Sequence, residues 1–303
     1  MTPDIKIGLH VMSAKGYAVL QRLLEQFGPR FIAYVVTARD QAVTEDYHYA
    51  IEQLARSAGL PLYTRPAAPG TDAPPPYLFA VSWRWLIHSE PSQQLIVFHD
   101  SILPRYRGFA PLVNTLINGE SRIGVTALLA SAEYDRGAVL AQRSVSITYP
   151  QKVSNAIKTL TPCYQQLAVE VGSMIMKRNL IGQPQDESVA TYSLWRDDYD
   201  YFIDWTQEAD QIRRFVDAVG FPYLGAATKA HGMVYRIIEC STMADVFVEN
   251  RTPGKVIFVQ DKEPVIVCGR GLLRVHKMIE DESRKNALPL KQFRTCFHSP
   301  PRS

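Results

Sequence analysis

Short apolar runs alternate with amphipathic stretches along the first two thirds of the chain. Residues 5–12 (IKIGLHVM) are almost wholly apolar and too short for a buried helix, which predicts a strand. Residues 17–27 (YAVLQRLLEQF) place apolar side chains at helical spacing. A second buried strand is expected over 30–38 (RFIAYVVTA), and a second helix over 50–59 (AIEQLARSAG), stopped by Gly59. PLYTRP (61–66) gives a small β segment, and a Pro-rich turn at 73–76 precedes the apolar run YLFAVSW. QLIVFH (94–99) is the next apolar strand, with His99 at its carboxyl end. Apolar strands alternating with helices predict a parallel sheet covered on both faces, whose ligands bind where the strands end.

Further along, a strand opens at Gly124-Val125-Thr126 and 138–147 (AVLAQRSVSI) follows as its hairpin partner. Residues 152–180 read as one long amphipathic helix bent near Pro162, and 181–188 (IGQPQDES) as a linker. The composition then changes. TYSLWRDDYDYFIDW is aromatic and acidic, ADQIRRFVDAVG is a helix with a glycine stop, and short β-like runs separated by Gly and Pro follow. The expected fold class is α/β: a doubly wound, mostly parallel sheet over residues 1–190, then a smaller, mostly β, barrel-like domain over 191–303, entered through a helix.

Composition narrows the function classes. Hydrophobic residues make up 46% and charged residues 21%, enough apolar surface for a sizeable core. A net charge of +3 is far from the basic stripe of a dedicated nucleic-acid binder, yet suits an anionic small molecule held by a local cationic cluster. Cys163, Cys240, Cys268 and Cys296 are scattered without a Cys-x-x-Cys pair, so neither a zinc site nor a disulfide framework is expected. The first strand begins without a charged n-region, and no apolar run approaches the roughly 20 residues of a membrane span. The expectation is a soluble cytoplasmic protein without a metal.

The segment FHDSILPRYRGFAPLVN, the Gly124-Val125-Thr126 strand and Asp135, 36 residues after His99, occur in an order and spacing that resemble the formyltransferases that use N10-formyltetrahydrofolate. That family includes glycinamide ribonucleotide, methionyl-tRNA and nucleotide-linked amino-sugar formyltransferases. The resemblance implies the formyltransferase fold and formyl transfer from N10-formyltetrahydrofolate, as cosubstrate, to an amine. His99 and Asp135 occupy the family's catalytic His and Asp positions. An amine attacking a formyl carbon passes through a tetrahedral oxyanion, which calls for a base near neutrality, a carboxylate to tune it and a donor for the oxygen. The chain departs from the family at one place: the asparagine two residues before the histidine is Val97. Another donor substitutes for it, or the enzyme is slow or specialised, or the chain only binds ligand.

The same resemblance supplies the other candidates. Ser82, Trp83, Arg84, Trp85 and Leu86 stand where the family runs backbone and apolar side chains past the pterin, and Ala130, Glu133 and Tyr134 in its folate-binding loop. Ser101, Arg105, Tyr106 and Arg107 lie on the loop after the histidine, which Pro104 and Gly108 constrain. Guanidinium groups there would recognise phosphate or a folate carboxylate. PYLGA, TPGKV and CGRGLLRV resemble the second domain of methionyl-tRNA formyltransferases, but the linker is acidic where a tRNA enzyme would be basic. TYSLWRDDYDYFIDW looks most like the amino-sugar enzymes, in which Trp195 or Tyr199 would stack on the thymine and Arg196 pair with the diphosphate. The expected partner is therefore a nucleotide-linked, dTDP-type amino sugar. A charged initiator tRNA and a non-catalytic binding role are the alternatives, and the apolar β surfaces suit a homodimer.

Overall fold

The computed structural model describes residues 5–67 and 73–301. Strand β1 (Ile7–Val11) is buried at every position, as a continuous apolar run requires. Helix α1 (Ser13–Phe27) buries Val19, Leu20 and Leu23, and its last turn closes on Gly28, whose N–H donates to the Leu24 carbonyl. Then come β2 (Ile32–Thr37), α2 (His48–Ser57), β3 (Leu62–Thr64), β4 (Tyr77–Val81) and β5 (Gln94–His99). The short β6 (Arg107–Gly108) and α3 (Pro111–Ile117) lead to the hairpin β7 (Arg122–Leu129) and β8 (Val139–Ser146). Helix α4 (Val153–Met176), which contains Pro162, and β9 (Tyr192–Ser193) follow.

Among the described residues the main sheet has the order β3-β2-β1-β4-β5-β7-β8. The first five strands run parallel, and the β5–β7 and β7–β8 pairs are antiparallel. Period-2 alternation sorts the side chains onto two faces. Val11, Val81 and Phe98 share one face in adjacent register. Gly16 of α1 sits against Val11 there, and the Tyr164 ring of α4 stacks on Phe98. The other face carries Tyr34, Val36 and Leu78, covered by Trp83 and Ile87 from the β4–β5 connection. Gly8 lies on this face, where a Cβ would stand 2.5 Å from the Tyr34 ring; only glycine lets that ring lie flat on β1. Val97 and His99 belong to this second face.

The chain forms two compact units. One comprises residues up to Leu112, Ser121–Ile147 and Ala156–Leu194; the other comprises Val113–Glu120, Thr148–Asn155 and the chain from Trp195 onward. The sequence suggested one cut between residues 190 and 191. Residues 191–194 instead stay with the first unit, because β9 pairs in parallel with β6. In the second unit, α5 (Ala209–Ala218) lies against an antiparallel sheet. The sheet consists of β10 (Ala226–Ala230), β11 (Met233–Met243), β14 (Leu272–Glu280), β13 (Glu263–Val267) and β12 (Val256–Gln260), in that order. Its two edges are joined by the C-terminal segment. His298 bridges Lys229 of β10, and the Val256 N–H of β12 donates to the Thr295 carbonyl. That closure removes open edges in the manner of a small barrel.

Candidate functional site

His99 ends β5 with 7% exposure. Its Nε2 is 2.8 Å from the Tyr106 carbonyl oxygen, and its Nδ1 is 3.5 Å from Asp135 Oδ2. Both ring nitrogens thus face oxygen acceptors, so the imidazole can hold a proton on either side or on both. Asp135 has φ 55°, in the left-handed region that Asp tolerates better than most residues. The same carboxylate oxygen accepts the Gly108 N–H at 2.8 Å. The pair is held from the sheet side as well. Thr126 stands opposite His99 across β5–β7, donates to the Ser101 carbonyl (2.7 Å) and accepts the Leu103 N–H (3.1 Å).

Three residues outside the expected set complete this support: Gln185, Glu187 and Thr191. Gln185 Nε2 donates to the carbonyls of Asp135 (2.7 Å) and Gly137 (2.8 Å), while its Oε1 accepts from Arg107 Nε (3.1 Å) and Nη2 (2.9 Å). Glu187 takes Arg107 on both oxygens, at 2.9 and 2.8 Å, and also accepts from Arg136 at 3.1 Å. The Thr191 hydroxyl accepts the Tyr106 N–H at 2.9 Å. Their stretch reads as a polar linker. The signal that could have found them is a linker acid and amide in a chain that also buries an arginine, because such a charge needs partners.

This network corrects two substrate-binding expectations. Arg107 is fully buried, and its guanidinium is committed to Glu187 and Gln185, so it fastens the loop instead of meeting a phosphate. Glu187 raises the Arg107 pKa, and Arg107 in turn holds the Glu187 carboxyl below its usual range. Ser101, 2% exposed, donates its hydroxyl to the Arg105 carbonyl at 2.8 Å and closes the turn after His99. Arg105 itself is exposed, with its guanidinium over the Tyr106 ring. Trp195, largely exposed, and Arg196 lie in the second unit. Arg196 donates to Asn114 Oδ1 (2.9 Å) and to the Asp200 carbonyl (3.2 Å). Among the described contacts these tie Arg196 to its own unit.

The segment expected to meet the pterin begins at Ser82, directly after Val81, which pairs with Phe98 beside His99. Ser82 Oγ and Trp83 Nε1 are buried without a hydrogen-bond partner among the described residues. The Trp83 ring stands edge-on to His10 and to Trp85, and the Arg65 guanidinium covers Trp85 at 4.3 Å. Arg84 is paired with Asp40, and Leu86 is 76% exposed. Unpaired buried donors beside aromatic surface are what a flat heterocycle with a polar edge would satisfy. Ala130, Glu133 and Tyr134 are exposed; the Ala130 N–H donates to the Leu95 carbonyl, Glu133 pairs with Arg136, and Tyr134 lies against Phe109. The strand row through Val97 is apolar: Val97 pairs with Ala80 on one side and Leu128 on the other. His10, next in that row beyond Ala80, is kept neutral by burial, its pKa lowered to about 4.

Comparisons with known proteins bear on the family and the fold. Residues 84–170 match the formyl transferase domain model, and residues 197–295 match the formyl transferase C-terminal domain model. A methionyl-tRNA formyltransferase from Roseiflexus sp. (strain RS-1) is 33% identical over 198 residues, which is 65% of this chain and 59% of that protein. The chain thus aligns over about three fifths of that relative's length. Among solved structures, WlaRD, a sugar 3N-formyl transferase crystallised with dTDP and 5-N-formyl-THF, superposes with a TM-score of 0.65 at 13% identity, covering 90% of this chain and 97% of that one. The N-formyltransferase from Helicobacter canadensis, in complex with folinic acid and dTDP-3-aminofucose, gives 0.65 at 14% identity, covering 89% and 98%.

Proposed function

Because the chain belongs to the formyl transferase family, matched by its N-terminal and its C-terminal domain models, we propose that it transfers a formyl group from N10-formyltetrahydrofolate to the primary amine of a nucleotide-linked amino sugar. The observation that carries the chemistry is the His99–Asp135 pair at the end of β5. The amine nitrogen attacks the formyl carbon and the carbonyl π electrons move to oxygen. The nitrogen then gives up a proton to the His99–Asp135 pair, the bond to N10 breaks, and N10 takes a proton as it leaves. Asp135 holds the imidazole and balances its charge while the proton resides there. With Val97 in an apolar row, the developing oxyanion falls to His99, whose side chain shares that face of β5. The pterin lies along Ser82–Leu86, where Ser82 Oγ and Trp83 Nε1 await partners, and Arg105, on the exposed part of the loop after His99, meets an acceptor phosphate.

The amino-sugar acceptor is favoured by the modest net charge and by the acidic Asp197-Asp198-Tyr199-Asp200 run, which would repel a polyanion. The identity to methionyl-tRNA formyltransferases favours charged initiator tRNA as the second reading. Release of tetrahydrofolate from N10-formyltetrahydrofolate, followed with dTDP-3-amino and dTDP-4-amino sugars in parallel with methionyl-tRNA, tests both. Turnover with an amino sugar supports the proposal; turnover with methionyl-tRNA alone replaces it with the second reading.

A further inference from the structure

The second unit holds a cleft of about 470 Å³ lined by Gly119, Tyr149, Asp210, Arg213, Arg214 and Ser241, with Pro150 and Thr242 at its margin. Two consecutive arginines of α5 converge there on one carboxylate. Arg213 Nη2 donates to Asp210 Oδ1 at 2.8 Å, and Arg214 Nη1 donates to Asp210 Oδ2. Each guanidinium is also anchored from behind. Arg213 Nη1 reaches Asp217 Oδ2 at 3.1 Å, and Arg214 Nε reaches the Ile117 carbonyl at 3.0 Å. The two arginine side chains are only 11% and 21% exposed, whereas Asp210 is 54% exposed. The cations are therefore fixed, and the carboxylate between them is the member able to swing into solvent. Burial raises the Asp217 carboxyl above its ordinary range, against the opposing pull of Arg213. Ser241 on β11 is oriented by a polar relay, with His276 Nε2 2.8 Å from its Oγ and His276 Nδ1 2.9 Å from Glu263 Oε2.

We propose that this cleft binds the phosphoryl group of a small ligand, which displaces Asp210 from Arg213 and Arg214. The chemistry is that of a tetrahedral oxyanion. Two pre-positioned guanidinium groups match a pair of phosphoryl oxygens as they now match the two oxygens of Asp210. The volume lies in the range of small-molecule sites and is too small for a nucleic-acid helix. No residue of the His99 site takes part, so this site stands or falls separately from formyl transfer.

The two roles open to Asp210 predict opposite signs. If it is only a structural ion-pair partner, its loss frays α5 and nothing binds. If it occupies a ligand's place, its neutralisation improves binding. Isothermal titration of the full chain with inorganic pyrophosphate at low ionic strength reads this directly, with folding checked by circular dichroism. Asp210→Asn is expected to tighten pyrophosphate about tenfold, the scale of one charge-assisted contact. Arg214→Gln is expected to weaken it about tenfold or more. Arg30→Gln, at an exposed arginine of the first unit, leaves this binding unchanged. The proposal is overturned if wild type and Asp210→Asn bind no pyrophosphate at millimolar concentration. It is also overturned if Asp210→Asn weakens binding in a folded protein, if Arg30→Gln abolishes it, or if citrate binds as tightly as pyrophosphate.

Discussion

At the scale of single residues, the site is a pair of working groups and a larger set that holds them in place. In the proposed mechanism His99 and Asp135 face the reaction, while Arg107, Gln185 and Glu187 fix the loops on which Tyr106 and Asp135 stand. Val97 leaves the position of an oxyanion donor empty on the same strand face. Val97→Asn is therefore expected to raise kcat, toward the roughly 10²-fold that one such donor supplies. An unchanged or lower kcat in a folded variant would show that the formyl oxygen does not lie over β5. Glu187 makes a second prediction, through stability. Arg107 lowers its pKa in the folded chain, so its contribution is fully present above the unfolded value of about 4.3 and is lost as pH falls through the folded value. In Glu187→Gln, the urea midpoint at pH 7 should fall, and the gap to wild type should close below about pH 4. A constant gap across that range would mean that the ion pair is not what Glu187 contributes.

At the scale of elements, the apolar runs were legible because buried parallel strands have a blunt signature. Gln94–His99 is a strand over the whole run expected, and the carboxyl-end position of His99 followed from it. The supporting contacts were not legible, because they join residues 78 to 80 positions apart and a linker glutamate looks the same solvated or buried against arginine. The arginines of the 103–108 loop show the limit most clearly. Arg105 and Arg107 stand two positions apart, yet Arg107 lies in β6 and is fully buried while Arg105, in the turn before it, is exposed. The β7–β8 connection carries its own test. A Cβ on Gly137 would stand 1.7 Å from the Leu129 carbonyl oxygen, so Gly137→Ala must displace the turn that carries Asp135. It should cost more than about 2 kcal/mol in stability and lower kcat together with it. A variant with wild-type melting temperature and reduced kcat would separate the two effects and contradict the link.

At the scale of the whole molecule, a modestly charged chain with two compact units carries arginines proposed for anion recognition in each: Arg105 in one, Arg213 and Arg214 in the other. This balance bears on the acceptor. A tRNA that contacts 6–10 phosphates loses about 10³–10⁵ in affinity between 50 and 200 mM salt, whereas a sugar diphosphate presents few charges. The acceptor KM is expected to rise less than about tenfold over that interval; a steeper rise would favour the tRNA reading. The most direct test of the account is single-turnover transfer of a radiolabelled formyl group from N10-formyltetrahydrofolate to a dTDP-amino sugar, comparing wild type with His99→Asn and Asp135→Asn. The account predicts labelled product with wild type and rates reduced by about 10²–10⁴ in each variant, with both proteins folded. Transfer at the wild-type rate by His99→Asn, or no labelled sugar from wild type, would contradict it.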